Sequence, residues 1–204
     1  MTVQFNLTKD AGAAPIAFNL SKVSQFIVEL YWDSKHDFDA HAIQLAAGHY
    51  GSGDDILSTY NTGLVLEADN SKNHTAGGKE PFQNRSGSLV HSGDKRTGIS
   101  VDVRQPDEVM KINVNKIPAD KDEVSFFITS HPPQAVKFKD VSNCKLVIKD
   151  DAGAQLLIAN LTNDFDAFDM VQMGSIVRHN GSWEFNPVAV GLNGNFNDVL
   201  GLLA

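Results

Sequence analysis

The segments Asp37-Phe38-Asp39-Ala40 and Gly93-Asp94-Lys95-Arg96-Thr97-Gly98 hold the residues with the strongest claim to chemistry. Carboxylates two residues apart on an extended backbone point to the same side, where they repel unless a cation or a donor stands between them. Asp37 and Asp39 have that spacing, directly after the apolar run Phe26-Ile27-Val28-Glu29-Leu30-Tyr31-Trp32. The chemistry suggested is capture of a hard cation, because calcium takes about six to eight oxygens from carboxylates, carbonyls and water. Asp94, Thr97, Asp107 and Glu108 are the further candidate donors. They do not form an EF-hand: counting from Asp37, the sixth position is Ala42 rather than Gly and the twelfth is Gly48 rather than Glu. A cation site must therefore be assembled from loops distant in sequence, and the plain alternative is that these acids cap turns and face water.

Other chemistries find less support. His36, His41, His49, His74, His91, His131 and His179 are scattered, with no helical pair and no cysteines at zinc spacing. A hydrogen-bonded or surface role is their default, although His41 alternates with Asp39 and falls near the acids. His91 and Ser92 lack a Gly-x-Ser-x-Gly elbow, so no enzyme is expected. Cys144 is the only cysteine and opens the apolar run Leu146-Val147-Ile148, which reads as a packed thiol. With 25 carboxylates against 17 Lys and Arg, the chain lacks the basic surface that nucleic acid requires. No apolar run is long enough to cross a bilayer, and the first residues do not resemble an export signal, so a cytoplasmic protein is expected.

The elements that position these residues are mostly strands. Segments 3–7, 15–20, 26–32, 40–45, 109–114, 124–129, 145–149, 155–161, 175–179 and 182–190 alternate with period two and are rich in β-branched or aromatic residues. Turn clusters such as Asp150-Asp151-Ala152-Gly153 and His179-Asn180-Gly181-Ser182 separate several of them. The pattern predicts one mainly β domain over 1–204, a two-sheet antiparallel sandwich with a few short helices. Those helices are expected at Asn163–Met170, with Asn163 or Asp164 as N-cap, at Phe196–Leu203, and as a single turn at Asp140–Asn143. The polar stretch Ala68–Ser88 is expected to be a mobile surface insertion that stays out of the core.

In order along the chain, Trp32, Asp37-Phe38-Asp39-Ala40, His91 to Gly98 and Asp107-Glu108-Val109 resemble the TerD family of tellurium-resistance and calcium-binding stress proteins. Phe138-Lys139-Asp140-Val141-Ser142-Asn143 is similar to that family's Phe-x-x-Val-x-Asn element, and Gly174 to Arg178 followed by Trp183-Glu184-Phe185 to its ending. The resemblance implies a TerD-like sandwich, a part in tellurite or chemical stress response, and a calcium site whose matching residues are Asp37, Asp39, Asp94, Thr97, Asp107 and Glu108. The chain departs from the family at Lys95, where Asn is usual, at His41, where Ser is usual, and in a thinned acidic run that carries Arg104. Two outcomes follow: calcium binds more weakly and at one site, or the Lys95 ammonium, a donor without acceptors, sits among Asp37, Asp39 and Asp94 in place of the ion. The alternative function is a structural or interaction module, such as an assembly or virion subunit, that has lost the metal.

Overall fold

The computed structural model describes residues Phe18–Asn19, 24–60, Leu66–Glu67, 78–98, 105–133 and 135–204. They build two antiparallel sheets packed face to face, as the period-two pattern predicts. In chain order the strands are β1 (Phe18–Asn19), β2 (Gln25–Asp33), β3 (Phe38–Leu45), β4 (Ile56–Leu57), β5 (Leu66–Glu67), β6 (Phe82–Gln83), β7 (Leu89–His91) and β8 (Glu108–Asn113). There follow β9 (Glu123–Ser130), β10 (Ser142–Asp150), β11 (Gln155–Asn160), β12 (Met170–His179) and β13 (Ser182–Leu192). One sheet runs β1-β13-β12-β9-β3-β4 and the other β11-β10-β2-β8-β7-β6-β5.

Strand β2 shows how sequence becomes layer. Phe26, Val28, Leu30 and Trp32 face the inter-sheet core and are fully buried, while the residues between them are half-exposed. Every residue of β3 is buried instead, because both of its faces are covered. Phe38, Ala40 and Ala42 join the core between the sheets; Ile43 and Leu45 join a second cluster with Ile56, Phe127, Met170, Phe196 and Val199. The last two come from α2 (Phe196–Leu203), the helix expected from its apolar spacing. Asn195 caps α2, accepting from the Asn197 amide at 2.9 Å, while Asp198 accepts from the Asn195 amide at 2.8 Å. Asn195→Ala is expected to lower the unfolding free energy by about 1 kcal/mol, measured by denaturant titration. A loss indistinguishable from zero would mean that packing alone holds the helix.

Three local expectations are corrected. The helix predicted from Asn163 to Met170 lies one turn earlier, as α1 (Leu161–Asp164), with Asn160 as its cap. The chain leaves helix there because the carbonyls of Asp166 and Phe168 are taken by the amides of Lys139 and Phe138. The single turn predicted at Asp140–Asn143 is a 3-10 turn at Phe138–Asp140, and Ser142 already belongs to β10. Within the stretch expected to stay out of the core, 68–77 lies outside the described residues, but Phe82 is fully buried in β6 and stacks 4.8 Å from the His91 ring. Asn84 and Ser88 are buried beside it, hydrogen-bonded to each other and to Gln44. The segment 3–7 expected as a strand also lies outside the described residues.

Candidate metal centre

The acidic residues meet at an open edge of β3. Strand β4 pairs only with Ala42 and Ile43, so it does not reach the first half of β3. There the Ala40 amide donates to the Glu108 carboxylate at 2.9 Å, sent across from the first residue of β8. Two loops close over this edge. The 34–37 loop is held by the Trp32 indole N–H on the His36 carbonyl at 2.9 Å and by the Gly98 amide on the Ser34 carbonyl at 2.9 Å. The loop after β7 needs both of its glycines. Gly93 has φ +102° and a Cβ there would stand 2.1 Å from the Lys79 carbonyl oxygen; a Cβ on Gly98 would stand 2.1 Å from that of Trp32.

Of the six predicted donors, Asp37, Asp39, Asp94 and Glu108 come together. Asp39, Asp94 and Glu108 each offer an oxygen within 4.8 Å of the others, and Asp37, Asp39 and His131 form a second such group that shares Asp39. Asp107 stands next to the cluster with both oxygens engaged: Oδ2 accepts from the Trp32 amide at 2.9 Å and Oδ1 from the Lys95 ammonium at 2.5 Å. Thr97 is exposed. Of the two outcomes expected at Lys95, the one that seats its ammonium among Asp37, Asp39 and Asp94 is therefore corrected. Its side chain leaves the loop on the other side, toward Asp107, and only its amide reaches the cluster, donating to Glu108 at 3.2 Å.

The cluster is short of positive charge. Burial, then the charges of Asp39 and Asp94, push the Asp37 carboxyl up to about 7. Glu108, with no exposed side-chain surface, is raised by burial, which His91 only partly offsets. Burial would raise Asp39 too, but bonds from His131, Thr59 and Tyr60, with the nearby His41, hold it below the ordinary carboxylate range. Thr59 donates to its Oδ1 at 2.6 Å and Tyr60 to its Oδ2 at 2.5 Å. Oδ2 of Asp94 receives the Arg96 guanidinium at 3.0 Å. Oδ1 of Asp94 and Oδ1 of Asp37 are buried without a hydrogen-bond partner among the described residues.

Sequence reasoning placed none of Thr59, Tyr60 and His131 in the site. His131 follows β9 and is brought beside the acids by strand pairing, with Asp39 opposite Thr129 and the His131 amide on the Asp37 carbonyl at 2.9 Å. No local spacing signals that contact. His41, which alternation placed near the acids, is buried with Nδ1 2.9 Å from Ser58 Oγ and Nε2 2.9 Å from Thr129 Oγ1. Burial lowers its ring to about 3, so it stands there as a neutral imidazole.

The TerD domain profile matches residues 4–201. This chain belongs to the TerD family. General stress protein 16U of Bacillus subtilis is 32% identical over 84% of this chain and 83% of its own. Tellurium resistance protein TerD of an Alcaligenes species is 28% identical over 92% and 91%. Among solved structures, a TerD homologue from Streptomyces coelicolor superposes with a TM-score of 0.68 at 18% identity, covering 89% of this chain and 96% of that one. The TerD fold is thus shared at a level of identity where side chains must be judged on this chain alone.

Proposed function

We propose that this TerD-family protein is a non-enzymatic calcium binder that serves tolerance of tellurite or related chemical stress. The observation that carries the cation reading is the pair of buried, unpartnered oxygens on Asp37 and Asp94 within a cluster of four carboxylates. A buried carboxylate oxygen without a donor is costly, and a hard cation satisfies it. The donor set is all oxygen at Asp39, Asp94 and Glu108, the chemistry that suits calcium. When bound, the ion would supply charge neutralisation and tie the 34–37 and 93–98 loops to β3 and β8. Membership of the family, and relatives bearing stress and tellurium-resistance names, support the physiological half of the reading.

Support for the non-enzymatic reading comes from Ser92 and His91, the pair weighed from the sequence as a candidate nucleophile and base, which have other partners. Ser92 Oγ accepts from the Val109 amide at 2.9 Å, whereas His91 accepts from the Gly93 amide at 3.1 Å and turns its other nitrogen to Glu108 at 3.3 Å. A module stripped of its metal is favoured by nothing specific once Lys95 is engaged by Asp107. No helix among the described residues is long and apolar enough to cross a membrane. Calorimetric titration tests the reading. Calcium is expected to bind the wild type, and Asp94→Asn is expected to weaken it by about tenfold or more, since affinity follows ligand charge. Equal affinity in the two proteins would remove Asp94 from the site.

A further inference from the structure

Resting on the reading of the cluster as a cation centre, the geometry points to a second position beside the all-oxygen one. It is formed by His131, Asp37 and Asp39 and takes a first-row transition divalent ion rather than calcium. Nδ1 of His131 lies 3.3 Å from Asp39 Oδ2 and 3.8 Å from Asp37 Oδ2. Nitrogen and oxygen ligands about 2.0–2.2 Å from a tetrahedral zinc-like ion stand about 3.3–3.6 Å from one another. The imidazole stands close to that spacing from both carboxylates, and the ligand atoms of all three groups lie within 4.8 Å of one another. An imidazole nitrogen is the element of selectivity, because it suits zinc, cobalt, nickel or copper and is seldom chosen by calcium.

The position is built rather than incidental. The Phe38–Ser130 pairing and the bond from the His131 amide to the Asp37 carbonyl fix the two backbones opposite each other. The Tyr60 ring meets the His131 ring edge-on at 5.2 Å, and its hydroxyl holds Asp39 Oδ2, so one residue orients two ligands. Oδ1 of Asp37 is buried and unpartnered, which leaves that carboxylate able to rotate toward an ion without losing a hydrogen bond. His131 is 41% exposed and Asp37 19% exposed, so water can complete the coordination from the open side. Asp39 is common to both groups and would bridge the two positions.

Cobalt(II) and calcium titrations of the intact chain test this. Wild-type protein is expected to take cobalt with visible ligand-field bands, and zinc is expected to shift the ring signals of His131 in the nuclear magnetic resonance spectrum. His131→Gln is expected to weaken cobalt by about tenfold or more while leaving calcium unchanged. Asp94→Asn is expected to do the reverse. The inference is overturned if wild-type protein takes no cobalt, if His131→Gln binds it as well as wild type, or if that variant loses cobalt and calcium alike, which would make His131 a support for Asp39 only. Cobalt binding that depends on His131 in a protein that ignores calcium would sink the calcium reading and sustain this one. The zinc-induced shift in the wild type decides the matter should the variant fail to fold.

Discussion

Phe38→Ala is expected to destabilise the protein by about 3–5 kcal/mol, because it empties a fully buried aromatic site that neighbouring side chains refill only in part. The Phe38 ring stacks on Phe138 at 5.5 Å and meets Trp32 edge-on at 6.0 Å, so it joins β3 of one sheet to β2 of the other and to the 3-10 turn before β10. Its neighbours in sequence are Asp37 and Asp39. The inward ring therefore sets where the two carboxylates stand, and loss of the ring is expected to weaken calcium binding along with the fold. Denaturant titration reads the first effect and calorimetry the second. Phe38→Leu, which keeps most of the volume, is expected to lose much less of both. A Phe38→Ala protein within 1 kcal/mol of wild type would show that the core closes over the gap.

How much of this was legible follows from what each residue's neighbours are. In β2, one face meets the core and the other does not, so Phe26, Val28, Leu30 and Trp32 announce themselves by alternation. In β3 alternation says nothing, because α2 covers the back of the strand, where polar Asp39 and His41 are buried, and Gln44 is buried on the face toward the other sheet, all through hydrogen bonds that are remote in sequence. Strands β4 to β7 are two or three residues long and exist through pairing, which is why Phe82 lay hidden in a stretch that reads as loop. The Asp-x-Asp spacing and the Gly-Asp turn did mark four carboxylates that converge. Composition could not tell which way Lys95 would turn. In the loop Asp94 joins the cluster while the next residue pairs with Asp107, so a charge that could have filled the site neutralises a carboxylate beside it. His131 joins the site only through the β3–β9 register, a property of the assembled sheet.

The metal-free protein is expected to be more stable at pH 6 than at pH 8, and calcium is expected to cancel that difference. An unfolded Asp titrates near its ordinary value, whereas Asp37 in the folded protein titrates at about 7. The folded state thus holds this proton more tightly, and the stabilisation it brings is lost as pH rises through 7. Glu108 is raised as well, and His131, raised mainly by its bond to Asp39, acts in the same direction. Over pH 8 to 6 the gain should be about 1–2 kcal/mol, allowing for water on the open side of Asp37. His41 opposes this from about pH 6.5 downward and offsets part of the gain already at pH 6: its folded value of about 3 lies below the ordinary 6.5, so the unfolded chain takes up a proton that the folded protein refuses, and stability falls as pH drops through that range. The low-lying Asp39 adds to the acid loss. Metal-free stability should therefore peak in mildly acidic solution. Calcium competes with the same protons. At a hundred times its dissociation constant it should add about 2.7 kcal/mol at pH 8, and at the same concentration clearly less at pH 6. Thermal melts at the two pH values, with calcium and with chelator, separate the terms. Metal-free stability that rises from pH 6 to pH 8 by the full His41 contribution, about 0.8 kcal/mol, would mean that the carboxylates hold no extra proton and do not repel, and the cluster would then have no need of an ion.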